Sequence, residues 1–136
     1  MQIKHQDPRP STPGIPTHRS VTIIRDNVFS KANNASSGGN ARPNLLVGHW
    51  PLSGPGANDQ YIITGNFFYQ NPTGEPLFQG EGHIALHNNV FVNHVGDAVR
   101  IQPHNDVPKD IVVFYNTVVA SGLGISITGS STQFSQ

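Results

Sequence analysis

The chain has no cysteine, which excludes disulfides and thiolate chemistry and leaves the redox compartment open. Charge is scarce as well. Only 12% of the 136 residues are Asp, Glu, Lys or Arg, eight of each sign, so the net charge is zero. A nucleic-acid groove or an anionic membrane surface needs a basic excess that this composition does not supply. No apolar run approaches the roughly 18 residues of a bilayer span. The opening residues Met1-Gln2-Ile3-Lys4-His5-Gln6-Asp7 contain no apolar core of a signal peptide, so none is expected in this chain. A Gly-Gly-x-Gly-x-Asp calcium repeat, a Gly-x-Ser-x-Gly elbow and a phosphate loop leading into a helix are all missing. Turn chemistry, by contrast, is abundant, with 14 Gly and 11 Pro.

One short phrase occurs four times. Apolar and β-branched residues lead to an Asn, and Phe or Val stands two places after it. The copies centre on Asn27, Asn66, Asn89 and Asn116. Ile24, Ile63, Leu86 and Val113 lie three residues before these Asn; Phe29, Phe68, Phe91 and Val118 lie two after. Both sets are expected to point inward. A second strand follows each copy, around Leu45-Leu46-Val47, Leu77-Phe78-Gln79, Val99–Gln102 and Ile125–Thr128; the last two alternate apolar and polar residues, as half-buried strands do. Units of about 20–45 residues built only of short strands and turns imply a solenoid, in which each unit buries its apolar face against its neighbours. Like strands then stack about 4.8 Å apart, and equivalent residues form columns. Asn suits the turn between strands because it tolerates the left-handed conformation, and its amide can bond from coil to coil. The Phe column gives an aromatic stack.

The Ile-x-x-x-x-Asn-x-Phe pattern, with a short strand after Gly, resembles the repeat of right-handed parallel β-helix proteins, the pectate-lyase-like superfamily. The resemblance spans residues 20–130. It implies an all-β, right-handed parallel β-helix of about four coils, cut from a longer helix whose remaining coils and caps lie elsewhere. It also implies a secreted or periplasmic location and a polysaccharide or glycan as partner. Fold alone does not assign activity, and the same repeat serves non-catalytic surface modules.

Two divisions are expected: a Pro-rich irregular arm over 1–19, and the β-helix over 20–136 with loop insertions at 31–43 and 48–58. The first insertion carries the sequon Asn34-Ala35-Ser36, and Gln133-Phe134 reads as the start of another strand. Ile23, Ile62, Ala85 and Val112 would form an apolar outer stripe, which the arm or the insertions would cover unless it stays bare as scattered surface aliphatics do.

The densest polar stretch runs from Arg100 through Gln102 and His104 to Asp106, Lys109 and Asp110. Lyases of the resembled family remove a proton beside a uronate carboxylate with a basic residue, often with Ca²⁺ neutralising the acid. By that resemblance Arg100, His104 and Lys109 are the catalytic candidates. Arg also pairs with carboxylates bidentately. The plainer readings are an Arg stem covering apolar surface and a His-Asn-Asp turn. Gln102, Trp50, His87, His49 and Glu81 are the candidate substrate contacts, Trp50 by stacking on a sugar ring. His49, Glu81 and His104 leave their strands at similar points, beside His87 on the neighbouring strand. Such a trio has donors for a divalent metal, but no tight His spacing supports one and no metal ligand is assigned. For calcium only Asp106 and Asp110, joined by Glu75 or Asp97, come near. The paired carboxylates of a glycoside hydrolase are missing. Two functions follow: polysaccharide binding or lyase-like processing, and a structural or interaction module without turnover.

Overall fold

A computed structural model describes residues 1–10, 12–32 and 41–129. The sequon and Gln133-Phe134 lie outside the described residues. No helix occurs among those described, and hence none long and apolar enough to cross a membrane.

Among the described residues, thirteen short strands fall into three parallel sheets. Sheet A joins β1 (Gln2–Lys4), β4 (Leu45–Gly48), β7 (Phe78–Gly80), β10 (Val99–Ile101) and β13 (Ile125–Ile127). Sheet B stacks β2 (Val21–Arg25), β5 (Gln60–Thr64), β8 (Gly82–His87) and β11 (Pro108–Phe114). Sheet C stacks β3 (Val28–Ser30), β6 (Phe67–Tyr69), β9 (Val90–Asn93) and β12 (Thr117–Ala120). The chain visits A, B and C in unbroken rotation, and every pairing is parallel. This arrangement is consistent with a β-solenoid.

Register explains the repeat. Ile24, Ile63, Leu86 and Val113 are paired across sheet B, and Phe29, Phe68, Phe91 and Val118 across sheet C. Ile63, Leu86, Phe68 and Phe91 are fully buried. The three rings stack, with centroids 4.8 Å apart for Phe29–Phe68 and 4.6 Å for Phe68–Phe91. The expected inward columns are therefore the core.

The Asn ladder is equally regular. Asn66 Oδ1 accepts from the backbone N–H and side-chain amide of Asn27, Asn89 Oδ1 from those of Asn66, and Asn116 Oδ1 from those of Asn89, all at 3.0 Å. The amides also donate to backbone carbonyls: Asn66 to Ile24 and Thr64, Asn89 to Ile63 and His87. The left-handed residue is not the ladder Asn, as its turn chemistry suggested, but the one before it. Asp26, Gly65, Asn88 and Tyr115 have φ of 58°, 67°, 54° and 52°. This turns the chain so that each Asn side chain can point inward to bond the next coil.

Tyr115 is the misfit in that column. It is 82% exposed and touches Phe114 edge-on at 5.2 Å. A bulky L residue in the left-handed region is strained by about 1 kcal/mol. Tyr115→Asn is expected to raise the unfolding free energy by about 0.5–1 kcal/mol; a loss of stability in urea titration would contradict this account.

A second Asn set, not read from the sequence, closes the corner between sheets C and A. Asn44, Asn71 and Asn93 are buried. Asn71 Oδ1 accepts from the Thr73 backbone at 3.2 Å and Asn93 Oδ1 from the Val95 backbone at 3.2 Å, so each side chain closes its own turn.

The first 19 residues are less irregular than their prolines suggest, since Gln2–Lys4 pairs with β4 as an outermost strand of sheet A. The rest of the arm is tied down by Arg9. Its guanidinium forms an ion pair with Asp59 and donates to the carbonyls of Pro16 (2.8 Å) and His18 (2.9 Å). Burial pushes the Asp59 carboxyl up, but hydrogen bonds from Arg9 and Ser20 outweigh it and hold the group below its usual range. The arm also meets the 48–58 loop, where the Arg9 backbone N–H donates to the Pro55 carbonyl at 2.9 Å, while Ile23 and Val112 of the outer stripe remain exposed.

Candidate functional site

The outer face of sheet A carries a groove of about 300 Å³. Its floor comes from outward strand positions: register aligns Gln2, Leu46, Gln79, Arg100 and Ser126 in one column across the five strands. The groove lies at the β1 end of that column, over Gln2, Leu46 and Gln79. Lys4, Arg42, His49 and His104 line it with one carboxylate, Glu75. Leu46 and Gln79 point outward yet are nearly inaccessible, at 5% and 7%, because the surrounding segments wall them in.

Two imidazoles dominate the wall. The His49 and His104 rings lie 3.8 Å apart at 37°. His49 follows β4 with φ of 60°, and His104 is held in its turn by a bond from its own N–H to the Asp106 carbonyl (3.0 Å). Burial lowers the His49 pKa below the usual imidazole value, His104 and Lys4 lower it further, and Glu81 partly offsets them.

Glu81 is the support beneath this wall. It is 1% exposed. Its Oε1 accepts from the backbone N–H of His49, of Trp50 (3.2 Å) and of Asp106 (3.3 Å), joining the 48–58 loop to the turn after β10. Trp50 is 1% exposed, stacks on Tyr61 at 4.5 Å and 9°, meets His5 at 5.0 Å, and donates its indole N–H to the Glu81 carbonyl at 3.0 Å. Gly82, at φ 78°, lies so close beneath the indole that a Cβ would fall 2.4 Å from it. Burial pushes the Tyr61 hydroxyl up to about 12.

The positions named from the sequence therefore divide. His49 and His104 come together on the groove, as their similar departure from the strands suggested. Glu81 and Trp50, expected to meet substrate, are buried and build the wall behind the groove; Glu81 Oε1 and the Trp50 indole N–H are engaged, while Glu81 Oε2 has no partner. Their burial depends on two loops meeting, which strand patterning does not encode. His87 belongs to sheet B, where its ring stacks on Phe114 at 4.7 Å and bonds Thr64 at 3.1 Å. Gln102 anchors its own backbone to the Gly80 carbonyl at 3.0 Å.

Arg100 pairs with Asp97 at 2.6 Å, and Asp97 also accepts from the Leu123 N–H at 2.8 Å; the guanidinium and then that N–H hold the Asp97 carboxyl below its usual range. Lys109 pairs with Asp106 at 2.6 Å. Both cations are engaged as turn staples, and only His104 of the three catalytic candidates faces the groove. Of the acids named for calcium, Asp97 and Asp106 pair with cations, Asp110 bonds His83 at 3.0 Å and Glu75 lines the groove; among the described residues no three His, Asp or Glu side chains are grouped to hold a metal.

No family model matches the chain, and no curated protein or solved structure is detectably similar to it. The site must speak through its own chemistry. Lys4, Gln2, Arg42 and Gln79 were not singled out as site residues from the sequence, and Glu75 was named only for calcium. Gln79 carried a usable signal, an outward position on a recognised strand. Lys4 and Gln2 carried none, since β1 is placed by pairing with residues more than 40 positions away.

Proposed function

We propose that this chain is a right-handed parallel β-helix of about four coils that binds an acidic polysaccharide along the outer face of sheet A, at a secreted or periplasmic location. The handedness rests on the preference of parallel crossovers for that hand, together with the resemblance of the repeat to pectate-lyase-like proteins. One observation carries the functional reading: a groove on a strand column whose described lining sets Lys4, Arg42, His49 and His104, with Gln2 and Gln79, against one acid, Glu75. Cations with amide donors suit a carboxylated sugar, and a column of five strands spans about 19 Å, matching a linear polymer in shape. The pairing of Arg100 and Lys109 with their own carboxylates favours binding without proton abstraction by either residue.

The test is retention by polygalacturonate, alginate and heparin compared with a neutral glucan. Lys4 sits at an exposed position of β1, so Lys4→Glu is expected to preserve the fold and weaken binding about tenfold, with the wild-type affinity falling as salt rises. Failure to bind any acidic polymer would remove this reading and leave the structural one. Ultraviolet-absorbing product from a uronate polymer would extend it to lyase turnover, with His104 the candidate base that faces the groove.

A further inference from the structure

The groove's two imidazoles touch, and that contact has an electrostatic consequence. With ring centroids 3.8 Å apart, two protonated imidazoles would repel strongly. The charged groups around them are Lys4 on β1, Arg42 ahead of β4, Glu75 ahead of β7, Glu81 beneath His49, and the Asp106–Lys109 ion pair in the His104 turn, whose charges offset each other. Lys4 and Arg42 oppose a further positive charge. Glu81 favours one: its Oε1 is shared among three backbone N–H groups and its Oε2 has no partner, yet its effect on His49 is outweighed by burial, His104 and Lys4. Among the described residues Glu75 is the only acid lining the open groove. A second positive charge on the pair is therefore opposed by its surroundings, in agreement with the lowered His49 value. A carboxylate entering the groove supplies the missing charge.

We propose that the groove takes up its acidic ligand together with a proton, and that the His49–His104 pair is the group that receives it. This rests on the acidic-polysaccharide reading and adds a regulatory property: capture in mildly acidic surroundings and release as pH rises. Uronate carboxylates titrate well below this range, near ordinary carboxyl values of about 3.5, so the pH dependence belongs to the protein. Linkage gives the sign. A group that binds a proton more tightly in the complex than in the free protein makes affinity fall with rising pH, by at most tenfold per unit for one proton.

The experiment is calorimetric titration with oligogalacturonate and with heparin fragments at pH 5, 6, 7 and 8, in two buffers of different ionisation enthalpy. Wild-type protein is expected to take up about half a proton near pH 7 and to lose about tenfold in affinity between pH 6 and 8. A His49→Gln, His104→Gln double variant is expected to bind with nearly constant affinity through Lys4 and Arg42. Equal wild-type affinity at all four pH values without proton uptake overturns the inference while the binding function stands. Undiminished pH dependence in the double variant also overturns it. Absence of binding to either probe at pH 5 removes the polysaccharide reading itself, and the proton-linked property with it. Imidazole resonances followed by NMR make the test independent of the variant's folding: the wild-type His49 pKa is expected to rise on ligand addition, and an unchanged value in a saturated complex counts against the inference.

Discussion

Asn89→Ala is expected to lower the unfolding free energy by about 3–5 kcal/mol, one of the two largest losses of any single substitution proposed for this chain. Asn89 is 1% exposed. Its Oδ1 takes two donors from Asn66, while its amide lies within bonding distance of the carbonyls of Ile63 and His87 and of Asn116 Oδ1. Alanine strands the Asn66 N–H and the Ile63 carbonyl in the interior, and each buried unsatisfied group costs about 1–3 kcal/mol. The comparison that isolates the ladder is Asn27→Ala. Asn27 is exposed and its side chain stands at the outermost rung, so a loss of no more than about 1 kcal/mol is expected there. Urea unfolding of the two variants decides the matter. Equal losses would mean that the coil-to-coil amide bonds do not add to ordinary turn chemistry.

Glu81→Ala is expected to cost about 4 kcal/mol and to release the loop carrying Trp50. The carboxylate oxygen gathers three backbone donors from two segments that no strand pairing joins. Truncation leaves those N–H groups unanswered and opens a void beside Gly48, whose position is 3.1 Å from the Glu81 side chain for any added Cβ. Glu81→Gln keeps an acceptor oxygen in place, so it is expected to recover at least half of the loss. The Trp50 fluorescence maximum gives a second readout: the buried indole should shift to the red in Glu81→Ala and stay near the wild-type position in Glu81→Gln. If both variants keep wild-type stability, the carboxylate is not the joint described here.

The core was legible because each of its positions recurs. Ile63 and Leu86, or Phe68 and Phe91, hold the same place in successive phrases, and parallel stacking sets such residues one above another. The candidate site was legible only in part. His49 and His104 were found because each leaves its strand at a similar point. Lys4 could not be found this way, since a three-residue strand in a Pro-rich segment carries no period and is placed by pairing with β4. Trp50 and Glu81 were misplaced for a related reason: a Trp in a Gly/Pro-rich loop and a Glu at a strand end look exposed until another loop closes over them. The left-handed residue was off by one because pattern marks the conspicuous Asn, whereas the backbone strain falls on Asp26, Gly65, Asn88 and Tyr115.

The amino-acid sequence by itself determined the parallel stack, its inward columns and its amide ladder, since periodic residues in periodic geometry meet their own equivalents. The tertiary structure alone decided which outer positions became a groove. That depended on β1, the residues on either side of β4 and the turns carrying Glu75 and His104 reaching the same face, and such non-local meetings leave no local trace in composition or spacing.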